Sequence, residues 1–227
     1  SLVLEVYYDR NKITVKVDDE EEKDYFYGET IETPDDPVIP EGGEFDGWKD
    51  EDGEKVEFPY TVPDEEDGKI TITPIILYTV KFYKDAKMTE EVFTAKGETV
   101  DTYTVPSTSK AGYTFNGWTL NGADAGLTVD GEAAFPEGGA NYVASWTALD
   151  GIAYTVKTYK MNLDGTTYAE TSETLYDTAG KEVTAATPDV EGFTLNEGKS
   201  TLKGNVEGDG SLVLEVYYDR NKITVKV

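Results

Sequence analysis

Apolar and polar residues alternate along most of the chain, which is the pattern of β-strands rather than helices. Leu212, Leu214, Val216 and Tyr218 occupy every second position of one segment, so one face of an extended strand would meet a core. Val, Ile, Thr, Tyr and Phe are frequent in such segments, and turn residues separate them. No convincing amphipathic helix is present. The chain is therefore predicted to be mostly β, or α+β at most.

One strand motif recurs along the chain. The letters TVK, preceded by Ile or Tyr, stand at residues 14–16, 79–81, 155–157 and 224–226, at intervals of 65, 76 and 69 residues. Self-similarity at intervals of this kind is typical of tandem modules.

Each of the first three TVK strands is followed by two further markers, a glycine-led step and then a motif that ends in Trp or Leu. The glycine steps begin at Gly28, Gly97 and Gly180, and the second markers end at Trp48, Trp118 and Leu195. This order predicts three modules of one plan, at residues 11–77, 78–150 and 151–220. Residues 148–153 form a short linker, and almost none remains between the first two modules, so we expect an extended, stiff rod.

A segment of 17 residues occurs twice, as residues 1–17 and again as residues 211–227. We therefore expect the chain to be one period of a longer array followed by the start of the next. Residues 1–10 would be the orphan last strand of a preceding repeat, and residues 221–227 the orphan first strand of the following one. Because unpaired strands seek edges, each end should pair with a neighbouring molecule or lie against a module edge of the same chain.

Composition narrows the classes of function. The chain has 227 residues, is 38% hydrophobic and carries a formal net charge of -26 without a basic stripe, which argues against nucleic acid and anionic membranes as partners. Cys and His are absent, so disulfides, thiolate metal sites and the usual neutral-pH general base are excluded. No stretch approaches the roughly 20 apolar residues of a membrane span. No membrane insertion by this segment is expected.

The two tryptophans of the second marker are interpreted as core residues. Trp48 and Trp118 hold equivalent places in two modules, and a structural role is the one that must recur in every repeat. The preceding Gly47 and Gly117 are interpreted as bends where a side chain would clash. Neither Walker-type nor dinucleotide-binding spacing is present, and no cofactor is predicted.

Acidic runs at residues 18–22 and 50–54 raise a calcium hypothesis, because hard cations bind several oxygens. The EF-hand pattern is missing, and a solvated acidic face is favoured. Ser107 or Ser109 with Lys110 has no supporting motif, and paired catalytic carboxylates remain open because pairing is spatial. A Lys-to-Asn or Lys-to-Asp crosslink also remains open. No catalytic, cofactor or metal residue is assigned, and the chain is not expected to be an enzyme.

Residues 12–148 resemble the Listeria-Bacteroides repeat, also called the internalin B-repeat. The similarity rests on GETV at residues 97–100, GYTFNGW at residues 112–118 and a closing strand at residues 142–146. The first module departs from the pattern, with Gly43 in the place of Tyr113 and no tryptophan in its last strand. Its core and final strand are therefore expected to be repacked.

Residues 152–220 resemble the repeats of mucin-binding proteins. The similarity rests on a V-x-x-Y strand, an Asp-Gly turn, a glycine step, a GFT motif and a Tyr-Tyr ending, at residues 156–159, 164–165, 180, 192–194 and 217–218. Both resemblances imply small β-grasp-like modules that stand in tandem on bacterial surface proteins.

These resemblances imply a structural or adhesive stalk segment of an extracellular bacterial cell-surface protein, attached through other parts of its parent. The alternative is a glycan- or protein-binding adhesin module with mucin-type ligands through residues 151–220, for which Tyr159, Tyr168 and Tyr176 are the candidate aromatics. Implied partners are host glycans or surface proteins and neighbouring repeats of the same chain.

Overall fold

The computed structural model describes residues 3–64 and 68–223, and strands are the only regular structure in these two ranges. No helix occurs among the described residues, so the prediction of a mostly β chain is confirmed. Residues 32–40, a proline-rich stretch, connect two strands without regular structure, because proline lacks the amide hydrogen that both helices and sheets require.

The first repeat of the fold is a mixed sheet in the order β2-β1-β7-β4, with β5 paired to β4 and a separate antiparallel ribbon of β3 and β6. In the sheet, β1 is antiparallel to β2 and parallel to β7. The strands are β1 (Lys12–Val17), β2 (Lys23–Phe26), β3 (Thr30–Ile31), β4 (Gly43–Lys49), β5 (Lys55–Val56), β6 (Tyr60–Thr61) and β7 (Lys69–Tyr83).

The second repeat has the same order, β8-β7-β13-β10, with β7 now acting as the first strand. Again the first pair, β7 and β8, is antiparallel, and β7 and β13 are parallel. Strands β9 and β12 form the antiparallel ribbon. The added strands are β8 (Glu91–Gly97), β9 (Thr102–Thr104), β10 (Tyr113–Leu120), β11 (Ala123–Asp124), β12 (Glu132–Ala134) and β13 (Ala140–Ala148).

The third repeat shows this order once more, β15-β14-β19-β17, with a parallel pair of β14 and β19 and a ribbon of β16 and β18. Its strands are β14 (Ile152–Met161), β15 (Tyr168–Asp177), β16 (Glu182–Thr184), β17 (Phe193–Leu195), β18 (Lys203–Asn205) and β19 (Val213–Arg220). One strand topology is thus used three times along the chain.

The cores lie between the sheets and their ribbons. In the first repeat, Ile13 and Val15 of β1 pack with Ile70 and Ile72 of β7, and Val62 beside the ribbon closes the cluster. The third repeat packs corresponding alternate residues of β14 and β19 against the segments around its ribbon. Alternation therefore places one face of each parallel pair in a core, as the sequence pattern predicts.

The joint between the first two predicted modules lies inside β7, a strand of 15 residues. Packing divides the chain into two compact units, Ser1–Pro106 with Leu120–Val143, and Ser107–Thr119 with Ala144–Val227. The second predicted module, residues 78–150, contributes to both units. The three predicted modules therefore correspond to three repeats of the topology. That they are also three separate folding units stays a prediction.

Within each compact unit, a glycine turn contacts a turn of the next repeat. A β-carbon on Gly42 would lie 2.3 Å from the carbonyl oxygen of Gly138, and one on Gly112 would lie 2.4 Å from the Cα of Gly208. Gly42, which precedes β4, and Gly112, which precedes β10, both have a φ of +75°, a backbone conformation that favours glycine even without the close contact. These contacts leave no space for a side chain at either turn.

The two copies of the 17-residue segment adopt different structures. Val213–Arg220 forms β19, whereas the identical residues 3–10 form no strand and are exposed. Residues 3–10 therefore do not lie as a strand against an edge of the described part of the chain, and the expectation that this end pairs with a neighbouring molecule stays a prediction. Among the described residues no strand pairs with residues 3–10, and β19 holds the place that their sequence would fill. Residues 221–223 form no strand, and the rest of the predicted strand at 221–227 lies outside the described residues.

Both marker tryptophans are buried, which confirms their interpretation as core residues. Trp48 is 7% exposed and packs edge-to-face with a phenylalanine ring at a centroid distance of 5.5 Å. Trp118 is 1% exposed and packs in the same way with a phenylalanine ring at 5.2 Å. A β-carbon added to Gly47 or Gly117 would meet no atom within 4 Å, and their φ values are +107° and +112°. The expected clash is therefore wrong, and the backbone conformation is what requires glycine there.

The first repeat carries glycine in place of the tyrosine found in the second for a steric reason. A β-carbon on Gly43 would lie 2.8 Å from Cγ2 of Ile76 in β7, which is too short for a van der Waals contact. The final strand of this repeat thus brings an aliphatic side chain onto the glycine, in line with the expected repacking.

We predict that Trp118→Ala destabilises the repeat around it by about 3–5 kcal/mol, because the substitution leaves a large cavity in a closed core. Urea denaturation followed by circular dichroism would measure the loss. The matched control is Tyr176→Ala, an aromatic that is 66% exposed and should change stability by only about 0.5 kcal/mol. A loss at Trp118 as small as that of the control would contradict the core assignment.

Candidate functional site

A cluster of tyrosines lies on the face of the third sheet that points away from its core. Tyr159 of β14 and Tyr217 of β19 are partners in the parallel register, and their rings stack at a centroid distance of 4.3 Å and an interplanar angle of 10°. Tyr168 of β15 meets Tyr217 edge-on at 5.2 Å. We call these three residues the tyrosine cluster. All three are partly exposed.

Polar side chains hold Tyr168 in place. Its hydroxyl donates a hydrogen bond to Oδ1 of Asp219 at 2.5 Å and accepts one from Nζ of Lys199 at 2.7 Å. Asn196 donates its amide to Oδ2 of Asp219 at 2.7 Å. The hydrogen bonds from Tyr168 and Asn196 lower the pKa of Asp219, and the contact with Tyr168 raises the pKa of Lys199. The site therefore presents a fixed carboxylate and an ammonium group beside the rings.

Tyr159 has acidic neighbours on the adjoining strands. Its hydroxyl donates to Oε1 of Glu215 at 3.2 Å, and Nζ of Lys157 lies 3.1 Å from Oε1 of Glu170. Partial burial, followed by hydrogen bonding to Glu170, raises the pKa of Tyr159. The hydrogen bond from Lys157 lowers the pKa of Glu170. Tyr159 is thus a neutral hydrogen-bond donor at physiological pH.

A cleft of about 860 Å³ adjoins the cluster. Three segments line it, residues 161–165, 194–197 and 219–222, and it shares Asp219 with the cluster. Asp164 accepts hydrogen bonds from the side chain and backbone of Thr167 and from the backbone of Thr166, which lower its pKa to about 2. Arg220 lies over the ring of Phe193, with Cζ 4.7 Å from the centroid. The cleft and the tyrosine cluster beside it thus offer fixed charges of both signs and flat aromatic faces, which are groups that a polar ligand such as a sugar can contact.

Of the three candidate aromatics, the structure brings Tyr159 and Tyr168 together and leaves Tyr176 apart. Tyr176 is 66% exposed and pairs with Ala153 in the register of β14 and β15. Reasoning from sequence missed the site roles of Tyr217, Lys199 and Asp219. The alternation that places Leu214, Val216 and Tyr218 in the core also puts Tyr217 and Asp219 on the opposite face, so this signal was present. The position of Lys199 depends on a loop fold and had no local signal.

The other sequence candidates lie elsewhere on the surface. Ser107, Ser109 and Lys110 are exposed, and Nζ of Lys110 lies over the ring of Tyr113 at 4.0 Å from its centroid. In the acidic turn at residues 50–54, the Asp50 carboxylate accepts the backbone amides of two later residues of the turn. Within residues 3–64 and 68–223, no group of three or more acidic side chains is placed to hold a metal ion.

Comparison with known protein families finds no match, and comparison with curated proteins finds none. The resemblances to B-repeats and to mucin-binding repeats therefore stay predictions. The described ranges contain no helix that is long and apolar enough to cross a membrane.

We predict that Asp164→Asn lowers the midpoint of thermal unfolding, Tm, at pH 7 and lowers it much less near pH 2. A carboxyl whose folded pKa is below its ordinary 3.8 stabilises the fold above that pH, and the contribution is lost as the pH falls through about 2. Thermal melts of both proteins between pH 7 and pH 2 would show the difference in Tm closing below about pH 4. A difference that stays constant over this range would contradict a role for the charge.

Proposed function

We propose that the chain is a stalk segment of an extracellular bacterial cell-surface protein, built from tandem β-grasp-like modules that hold other parts of the parent protein away from the cell. The observation that carries this proposal is the topology repeated three times, with β7 shared by two successive repeats. Sharing a strand removes the flexible linker at that joint, and short joints favour stiffness.

The direction of the strands supports an extended array. In each repeat the first and last sheet strands are parallel neighbours. The chain therefore enters a repeat at one end of the sheet and leaves at the other, which lets the next repeat begin where the last one ends. Tension between these ends would load the hydrogen bonds of the parallel pair in shear, so that several must break together.

The joints add two further supports for stiffness. The glycine turns at Gly42 and Gly112 each touch a turn of the following repeat without space for a side chain. The first joint also carries an ion pair between Lys49 and Glu98, with 2.6 Å between Nζ and Oε2 and both side chains more than three-quarters covered. The net charge of -26 suits a soluble surface exposed to solvent along its length.

Solution scattering tests the shape that this function requires. A compact protein of this length has a radius of gyration of about 17 Å, whereas three modules end to end give about 30 Å or more. We predict the higher value at several protein concentrations. A value near that of the compact protein would reject the stalk.

We propose as a second function that the third repeat binds mucin-type glycans through the tyrosine cluster. What favours it is the stacked, partly exposed pair of Tyr159 and Tyr217 beside a cleft with fixed charges. Aromatic rings cover the apolar faces of sugars, and carboxylates and ammonium groups bind their hydroxyls. Neighbouring repeats of the same chain would multiply such a site along an array.

We predict that immobilised mucin glycans bind the chain and that Tyr168→Ala weakens binding roughly tenfold, the effect of losing a contact worth about 1.4 kcal/mol. Tyr176→Ala is the matched control, because it removes an exposed tyrosine of the same strand outside the cluster. Equal binding by both variants, or silence of the wild-type chain on the glycan surface, would leave the stalk as the only proposed function.

A further inference from the structure

One sequence occurs in two environments in this chain. As Val213–Arg220 it is a central strand, β19, bonded to β14 on one side and to β17 on the other. Its core-facing residues, Leu214, Val216 and Tyr218, are 0%, 0% and 3% exposed. This segment of eight residues is therefore fully paired and buried only when two strands and a core surround it.

The N-terminal copy lacks these surroundings. Leu4, Val6 and Tyr8 hold the positions that correspond to the three core residues of β19, and they are 81%, 67% and 92% exposed. Three large apolar side chains at alternate positions of an unpaired segment form a strand face without a core. Exposed strand faces of this kind bind to sheets.

We propose that residues 3–10 are a docking strand that occupies the place of β19, between β14 and β17, in the third repeat of a second copy of this chain. This inference rests on the proposed tandem array, in which a preceding repeat would supply the same place. The partner is specified by sequence identity, because every side chain that β19 presents to its neighbours is present in the N-terminal copy.

The contacts that β19 makes define what the docking strand would gain. Its backbone pairs with Thr155 to Lys160 in parallel register. The Tyr218 hydroxyl donates to the Pro188 carbonyl at 2.8 Å, and Tyr217 completes the stacked pair. The identical side chains of residues 7 and 8 reproduce both contacts. A strand of another sequence would lose them, so the place is selective as well as apolar.

The docking strand of a second molecule would have to displace β19 from this place. In the intact chain β19 already fills the place from within the molecule, and an identical strand from another molecule brings no better contacts. Its effect would be to link two molecules, because residues 3–10 continue directly into β1 of their own first repeat. The wild-type chain should therefore be mainly monomeric when dilute, and exchange should become visible when β19 alone is disabled.

The decisive variant is the full chain with Leu214→Asp and Val216→Asp, which buries charge if its own β19 stays in place and leaves residues 3–10 unchanged. We expect sedimentation to show dimers and longer species that grow with concentration. Hydrogen exchange should show that the β14 amides that face β19 are still protected, since a second copy fills the place; the β14 amides that bond to β15 report nothing on this place. The control with Leu4→Asp and Val6→Asp should remain monomeric with the same amides protected.

The chain with all four substitutions should be monomeric with the β14 amides that face β19 unprotected, because neither copy can then fill the place. The proposal is overturned if the Leu214→Asp, Val216→Asp variant behaves like this fourfold variant. It is also overturned if that variant is monomeric at all concentrations with the β14 amides that face β19 protected, because the place would then be filled within one molecule. An extended scattering profile of the wild-type chain together with a Leu214→Asp, Val216→Asp variant that forms no oligomers would reject the docking strand alone, whereas a compact profile of the wild-type monomer together with oligomers of that variant would reject the stalk alone.

Discussion

The parallel pairing between the first and last sheet strands of each repeat is the interaction on which the rest of the structure depends. In the first repeat it joins β1 to β7, whose residues are more than 50 positions apart in the chain. The buried residues of both strands face the same side, so the pair itself forms the floor of the core. Without it, the short ribbon strands would have nothing to cover.

The same pairing decides how repeats can follow each other. Two parallel strands start at one end of a sheet and finish at the other, so the end of one repeat lies where a next repeat can begin. The unbroken β7 uses this fact, since it pairs with β1 at residues 69–72 and with β13 at residues 80–83. Glycine turns then allow the backbones of adjacent repeats to touch, which a side chain at either turn would prevent.

The outer faces of the sheets are free of this constraint, and there the repeats differ. The first repeat carries exposed ion pairs, such as Lys12 with Asp24 and Lys69 with Glu22, which stabilise little in water. The third repeat carries the tyrosine cluster with its carboxylate and ammonium partners. The same strand topology thus carries different side chains on its outer face in different repeats.

Alternating residues and recurring markers were enough to establish the mostly β class, the three-fold repetition and the burial of Trp48 and Trp118, because strand periodicity and repeated core positions are local properties of a sequence. The parallel pairing, the unbroken β7 and the meeting of Tyr168 with Lys199 and Asp219 were decided only by the tertiary structure. These features bring together residues that are distant along the chain, and no local pattern encodes their register. The two copies of one segment show the limit most directly: residues 3–10 and Val213–Arg220 have the same letters, but only the second forms a strand, because only there do β14 and β17 supply hydrogen bonds and a core.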